Sequence, residues 1–466
     1  MREKPSLALS RRARRGDAEG DRAGRAASCD GLMREKPSLA LSRRARRYDA
    51  EGDRAGRAAS CDGLMREKPA GSHLDARRAA ARPYGMPHEL PRVVIDLEKL
   101  RHINCGLGRF SLHLGEELLA IAPGRFQPVF FLPPGCGRYF PGGGFDRIDV
   151  STWRKERLLR LVRPLTQPFL GAPAASLWHV TNQTSKYMPL DRRIPVVLTI
   201  HDLTFLHEAP RAGREREIGR KLAAIQAKVA RSTLIATDSA YVADDVRRNL
   251  DVGARPIRVV PLGFSAPGTA ADRPPAFLPP GPFLLTLGNC LPHKNFHVLL
   301  DLAARLPELR LVIAGKNATP YGDHLVREVT RRGLTGKVLL PGEVSDGDRQ
   351  WLYGNCEAFF FPSLSEGFGL PVLEAMHAGR PVIVARNTSL AEVAGDLGFY
   401  LDSFAGEALE AAYRAARKQF EAAPDFQARL RRHAEGFSWA ATAAGYATAY
   451  DEALAVHAAC GRAPGG

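Results

Sequence analysis

At 466 residues, with 45% hydrophobic and 25% charged residues, the chain has the bulk for two or three domains, which excludes a wholly disordered protein. No run approaches the roughly 18 consecutive apolar residues of a spanning helix, and the Arg-rich start lacks the apolar stretch of a secretory signal, so a cytoplasmic protein is expected. The net charge of +16 is unevenly spread: residues 1–85 hold 21 Lys/Arg against 12 Asp/Glu, a net +9, leaving +7 for the other 381 and weakening any nucleic-acid reading.

Residues 1–32 recur at 33–64 with one change, Gly16 against Tyr48, and a third copy begins at Met65. Such near-identity points to recent duplication of coding DNA, because solenoid repeats diverge around a periodic apolar face. Sparse apolar content predicts a disordered basic extension over 1–85, with Met86 a candidate natural start; the alternative is a basic arm for nucleic acid or anionic lipid. The seven cysteines show no C-x-x-C pair and no zinc-like spacing, so reduced thiols are expected, and Cys290 reads as packing.

From Arg92 onward apolar runs alternate with amphipathic stretches. Strands are expected at 92–96, 127–132, 195–200, 233–237 and 257–260, with a helix near 109–121. A second round offers strands at 283–288, 309–314, 337–340, 357–361 and 381–384, and Phe296, Leu299, Leu300, Ala303 and Leu306 share one helical stripe. The Pro- and Gly-rich stretch 265–282 reads as a linker. This is an α/β chain of two doubly wound domains, and ligands bind such sheets outside the carboxyl ends of the strands.

The chemistry concentrates at one strand end. Phe361-Pro362 opens into Ser363-Leu364-Ser365-Glu366-Gly367-Phe368-Gly369-Leu370, then a helix starts with Pro371 in its first turn. Glycines let backbone approach a ligand, and the helix N-terminus offers free N–H groups to an anion. Glu366 precedes the helix and Glu374 lies on it, so both reach one cleft.

This stretch resembles the donor-binding motif of retaining glycosyltransferases of family 4, which have the GT-B fold: two Rossmann-like domains facing an interdomain cleft. The resemblance implies that Glu366 contacts the transferred sugar, that Glu374 contacts the nucleotide ribose, and that backbone around Gly367, Phe368, Gly369 and Leu370 holds sugar and diphosphate. It also implies that Lys294, after Gly288 in the loop Leu287–Asn295, meets the diphosphate, although Asn289 and His293 stand where an arginine is usual. His201, at the end of the strand Val196–Ile200, matches a catalytic cleft histidine that contacts the donor sugar and helps position the reacting centre, and Gly106 and Gly108 match the glycine-rich loop bordering the diphosphate and acceptor. The implied domains are an acceptor domain at 86–268, a nucleotide-sugar domain at 269–436 and a C-terminal helix at 437–466 crossing back to the first.

The expected reaction moves a hexose, mannose from GDP-mannose as first candidate, to a cell-surface glycan or lipid-linked acceptor with retention of configuration. No cofactor is expected, no Asp-x-Asp metal motif is expected in the chain, and so no divalent metal requirement is expected. Residues 152–163 (TWRKERLLRLVR) are basic and amphipathic, suited either to an anionic membrane at the inner face of the plasma membrane or to packing as a solvated helix. A nucleotide-sugar epimerase or a non-catalytic sugar-nucleotide binder of the same fold is the alternative, and no nucleic-acid partner is expected.

Overall fold

A computed structural model of the chain describes residues 90–103, 105–150, 175–207, 214–265, 268 and 270–460. The tandem repeat, Met86, Asn104 and the basic stretch 152–163 lie outside the described residues.

The first lobe is a seven-stranded sheet in the order β3-β2-β1-β4-β5-β6-β7. Its strands are β1 (Arg92–Asp96), β2 (Gln127–Leu132), β3 (Asp146–Asp149), β4 (Leu177–Val180), β5 (Val196–Ile200), β6 (Leu234–Thr237) and β7 (Ile257–Val259). The second lobe is a six-stranded sheet in the order β10-β9-β8-β11-β12-β13. It comprises β8 (Phe283–Leu287), β9 (Arg310–Ala314), β10 (Val338–Gly342), β11 (Ala358–Phe361), β12 (Val382–Ala385) and β13 (Phe399–Leu401). Every described pairing is parallel, which requires crossover connections and buries both faces. The near-continuous apolar runs follow from this: all residues of β5 and β11 are buried.

The expected strands are present with ends shifted by at most two residues, and β3, β4 and β13 are additional. Strand β4 hides in sequence because Leu177-Trp178-His179-Val180 carries a histidine at a buried position. His179 is tolerated there because both ring nitrogens are engaged, Nδ1 with the Tyr450 hydroxyl at 2.8 Å and Nε2 with Thr199 Oγ1 at 2.9 Å. Burial and neighbouring His201 push its pKa down to about 3, so it is neutral at physiological pH.

The helices that matter to the cleft are α1 (Gly106–Ile121), α2 (Arg214–Arg231) and α3 (Ala240–Asn249) in the first lobe. In the second they are α4 (Leu299–Arg305), α5 (Pro320–Arg331), α6 (Asp346–Asn355), α7 (Leu370–His377) and α8 (Leu390–Ala394), followed by α9 (Gly406–Ala422) and α10 (Phe426–Glu435). The stripe from Phe296 to Leu306 is buried as a 3-10 turn followed by α4. The last helix, α11 (Trp439–Cys460), packs on α1 and on the first sheet, where Tyr446 and Tyr450 are buried and Tyr446 shares a hydrogen bond of 3.0 Å with Thr199. One apolar cluster runs from β1 through α11 into the second sheet, so the two lobes share a core. Among the described residues no helix is long and apolar enough to cross a membrane.

The strand orders place a topological switch between β1 and β4 in one sheet and between β8 and β11 in the other. Crossovers leave in opposite directions there, opening a crevice at the carboxyl ends. The loops after β8 and β11 are therefore neighbours by topology, and the hydrogen bond from Leu364 N to His293 O, 2.7 Å, ties them together.

Candidate active site

The loops after β8 and β11 bring Lys294 and Glu366, far apart in the chain, into an ion pair at 2.6 Å. Both side chains are mostly buried, 15% and 13% exposed, so the pair is screened less than a surface one. Lys294 also lies 4.8 Å from the centre of the Phe361 ring, a cation–π contact. The backbone that presents Lys294 is unusual: Asn295, φ 58°, is the one non-glycine residue with positive φ among those described, and it ends the short turn Pro292–Lys294. Asparagine is among the residues that accept that conformation most readily.

Glu366 is held by a loop with little freedom. Ser389 Oγ lies within hydrogen-bonding distance of Glu366 O at 2.9 Å and Phe368 O at 3.0 Å. Gly369 takes φ 118° before α7, and Pro371 occupies the first turn of that helix, where a missing N–H costs nothing. The ring of Phe368 is buried against Phe437, so it anchors the loop and leaves only its backbone for a ligand.

Glu374, on α7, faces the Tyr353 hydroxyl, Arg349 and, from the first lobe, Arg109; burial pushes its carboxyl up against the pull of these groups. A cavity of about 390 Å³ opens nearby, lined by Gly288, Asn289, Lys316, Glu343, Arg349 and Arg109 among others. Gly106 has open space where a side chain would go, whereas a Cβ on Gly108 would lie 2.1 Å from His102 O. Only Gly108 is therefore sterically compelled.

His201 is placed at the carboxyl end of β5 but has no free ring nitrogen. Its Nδ1 meets Asp238 at 2.7 Å and its Nε2 meets the carbonyl of Thr181 at 2.9 Å. A carbonyl only accepts, so Nε2 carries a proton, and Nδ1 is left to share a hydrogen bond with Asp238, whose own carboxyl is pushed up by burial. Burial is the largest single influence and opposes a charged ring, but Asp238, the Thr181 carbonyl and Asp202 together outweigh it, so the histidine pKa is raised. What His201 presents to the second lobe is backbone: a Cβ on Gly367 would lie 2.1 Å from His201 O.

Several residues at the meeting of the lobes carry no signal in the sequence reading. Ser239 Oγ, at the start of α3, bonds Gly367 O at 2.9 Å, and Tyr241 bonds Ser365. The carboxylate of Glu392 accepts from Ala240 N at 2.8 Å and Tyr241 N at 2.7 Å, so a residue of α8 caps a helix of the other lobe. The pattern Ser389-Leu390-Ala391-Glu392 reads as a capping box, yet Ser389 makes no side-chain cap to α8. Contrary to the expectation that no Asp-x-Asp pattern occurs, Asp346-Gly347-Asp348 is one, and it begins α6. Asp348 pairs with Ser345 Oγ at 2.7 Å and Asp346 with Arg349 at 3.0 Å. Among the described residues no group of three or more His, Cys, Asp or Glu is arranged to hold an ion. Cys290 is fully buried, and burial pushes its thiol up to about 11, in keeping with packing.

Residues 271–433 match the family model of glycosyl transferases group 1. O-antigen chain mannosyltransferase B of Escherichia coli is 27% identical over 345 residues, covering 67% of this chain and 86% of that protein. The serotype-specific mannosyltransferase WbdA of Escherichia coli is 38% identical over 122 residues, and the match spans only 15% of its length. Among solved structures, sucrose-phosphate synthase from Thermosynechococcus elongatus superposes with a TM-score of 0.58 at 18% identity, covering 78% of this chain and 99% of that one. With residues 271–433 matching that model, relatives named mannosyltransferases and both sheets in the GT-B arrangement, the chain is a glycosyltransferase built on the GT-B fold.

Proposed function

We propose that this chain is a retaining glycosyltransferase of family 4 with the E-x7-E motif, moving mannose from GDP-mannose to a cell-surface glycan or lipid-linked acceptor. The observation that carries the reading is the Lys294–Glu366 pair at 2.6 Å, set at the switch point of the second sheet beside the start of α7. The names of the Escherichia coli relatives, both mannosyltransferases, support mannose, and the first is named for the O-antigen chain.

In this proposal Glu366 orients the sugar, Glu374 takes the ribose, and backbone N–H groups of residues 367–370 receive the diphosphate. The bond from the anomeric carbon to the diphosphate oxygen breaks as a bond to the acceptor oxygen forms on the same face. The departing phosphate oxygen takes the acceptor's proton. Lys294 opposes the charge that grows on the leaving group, an effect worth on the order of 10²–10³ in rate when one such donor is removed. His201, saturated by Asp238 and Thr181, acts by holding its backbone against Gly367. No divalent metal takes part. Contact with an anionic membrane through residues 152–163 at the cytoplasmic face belongs to the same proposal, and liposome flotation with those charges neutralised tests it.

The decisive experiment incubates the purified chain with GDP-mannose and UDP-linked sugars in turn, with a glycan acceptor. Nucleoside diphosphate release is measured and the product's anomeric configuration read by NMR. Retention with GDP-mannose supports the proposal; inversion removes the mechanism, and preference for a UDP sugar removes the donor. An epimerase would convert the donor without an acceptor. A non-catalytic binder would release no nucleotide.

A further inference from the structure

A diphosphate needs more positive charge than the loop after β8 offers. Lys294 is already paired with Glu366 at 2.6 Å, and the loop has Asn289 and His293 but no arginine. The cavity beside it is lined by Lys316 and Glu343 and draws two guanidinium groups from elsewhere, Arg349 on α6 and Arg109 on α1.

These two arginines differ in how firmly they are held. Arg349 is 19% exposed, pairs with Asp346 at 3.0 Å and faces the partly buried Glu374. Arg109 is 41% exposed and meets the same Asp346 oxygen at 3.6 Å, too long for a hydrogen bond. Asp346 is itself 75% exposed, so it anchors Arg109 weakly. Two guanidinium groups thus share one solvated carboxylate at the mouth of the cavity. The direction of Arg109 is built in: it sits in the first turn of α1, and Gly108 lets that turn lie where any Cβ would strike His102 O at 2.1 Å.

We propose that Arg109 supplies, from the opposite lobe, the guanidinium that the donor loop lacks, leaving Asp346 to clasp the diphosphate of the nucleotide opposite Gly288 and Lys294. A guanidinium fork matches phosphate oxygens two at a time, and their full charge outcompetes a solvated carboxylate. The diphosphate then bridges the lobes, which ties donor binding to their approach. Arg109 becomes a donor-binding residue of the first lobe, a role that nothing in the second-lobe motif assigns. This inference rests on the cleft being a nucleotide-sugar donor site.

The test is titration calorimetry of the full chain with GDP and with GMP, which lacks the second phosphate. Arg109→Ala is expected to weaken GDP at least tenfold and GMP less than threefold, with Arg109→Lys recovering only part of the loss. Asp346→Asn, which frees the guanidinium from its resting partner, is expected to bind GDP at least as tightly as the wild type. Equal GDP affinity in wild type and Arg109→Ala overturns the inference while leaving the donor site standing. So does an equal loss for GDP and GMP, which marks a general effect on the lobe. A wild-type chain that binds none of GDP, UDP and ADP removes the donor-site reading and the inference with it.

Discussion

Replacing Gly367 by alanine tests whether the contact between the lobes is part of the working enzyme. An added Cβ would lie 2.1 Å from His201 O, 3.0 Å from its carbonyl carbon and 3.2 Å from Asp202 Cβ. A carbon and a carbonyl oxygen rest about 3.3 Å apart or more, so the surfaces must separate by roughly 1 Å. The two nearest atoms are His201 backbone, and no rotamer change relieves the clash. Overpacking of this kind costs about 1–3 kcal/mol, and a 1 Å misplacement of reacting groups costs on the order of 10² in rate. Separation also stretches the bond from Ser239 Oγ to Gly367 O, now 2.9 Å. We expect kcat/KM for the donor to fall roughly 30- to 100-fold while the melting temperature falls by only about 2–6 °C. The assay is steady-state nucleoside diphosphate release beside thermal unfolding. Gly219→Ala serves as control, since Gly219 is exposed on α2 with nothing within 4 Å of the added carbon. A Gly367→Ala enzyme within threefold of wild-type kcat/KM would refute the reasoning.

Glu392→Ala removes both acceptors at the start of α3, a loss of about 0.5–2 kcal/mol by analogy with helix caps; a several-fold rise in donor KM is expected, and an unchanged KM would show the contact to be incidental. Asp96 is fully buried, and burial pushes its pKa from 3.8 up to about 7 despite hydrogen bonds from Ser185 and Glu98 N. The folded state keeps a proton that the unfolded chain releases near 3.8, so this contribution is present at low pH, fades as pH rises towards 7 and is absent above. Asp96→Asn is therefore expected to gain stability relative to wild type at pH 8 and little at pH 4.5, by at most about 4 kcal/mol; urea unfolding at both pH values checks the sign. Chelation with EDTA is expected to leave transfer unchanged, and full loss of activity would overturn the metal-independent proposal.

Sequence reading reached the fold because parallel strands buried on both faces leave a local mark, uniform apolar runs such as Phe359-Phe360-Phe361 between amphipathic helices. Where a strand depended on a distant partner it was missed, as with β4, whose His179 is acceptable only because Tyr450 and Thr199 meet it. The loop after β11 was legible for a similar reason, since its glycines and the proline of α7 answer to backbone geometry within a few residues.

The sequence by itself determined ten of the thirteen described strands, the glycine-rich loops that follow β8 and β11, and the placing of Lys294, Glu366 and Glu374 in or just after them. Only the tertiary structure decided what those side chains meet. It paired Lys294 with Glu366, closed both ring nitrogens of His201, and brought Arg109 to the second-lobe cavity. The segment from Ser389 to Glu392 shows why. Its spacing suits a capping box on its own helix, yet Ser389 holds the loop after β11 and Glu392 caps α3 of the other lobe. Backbone conformation follows from forces that act over a few residues, whereas a side-chain hydrogen bond goes to whichever unsatisfied group the packing of sheets and lobes brings within about 3 Å.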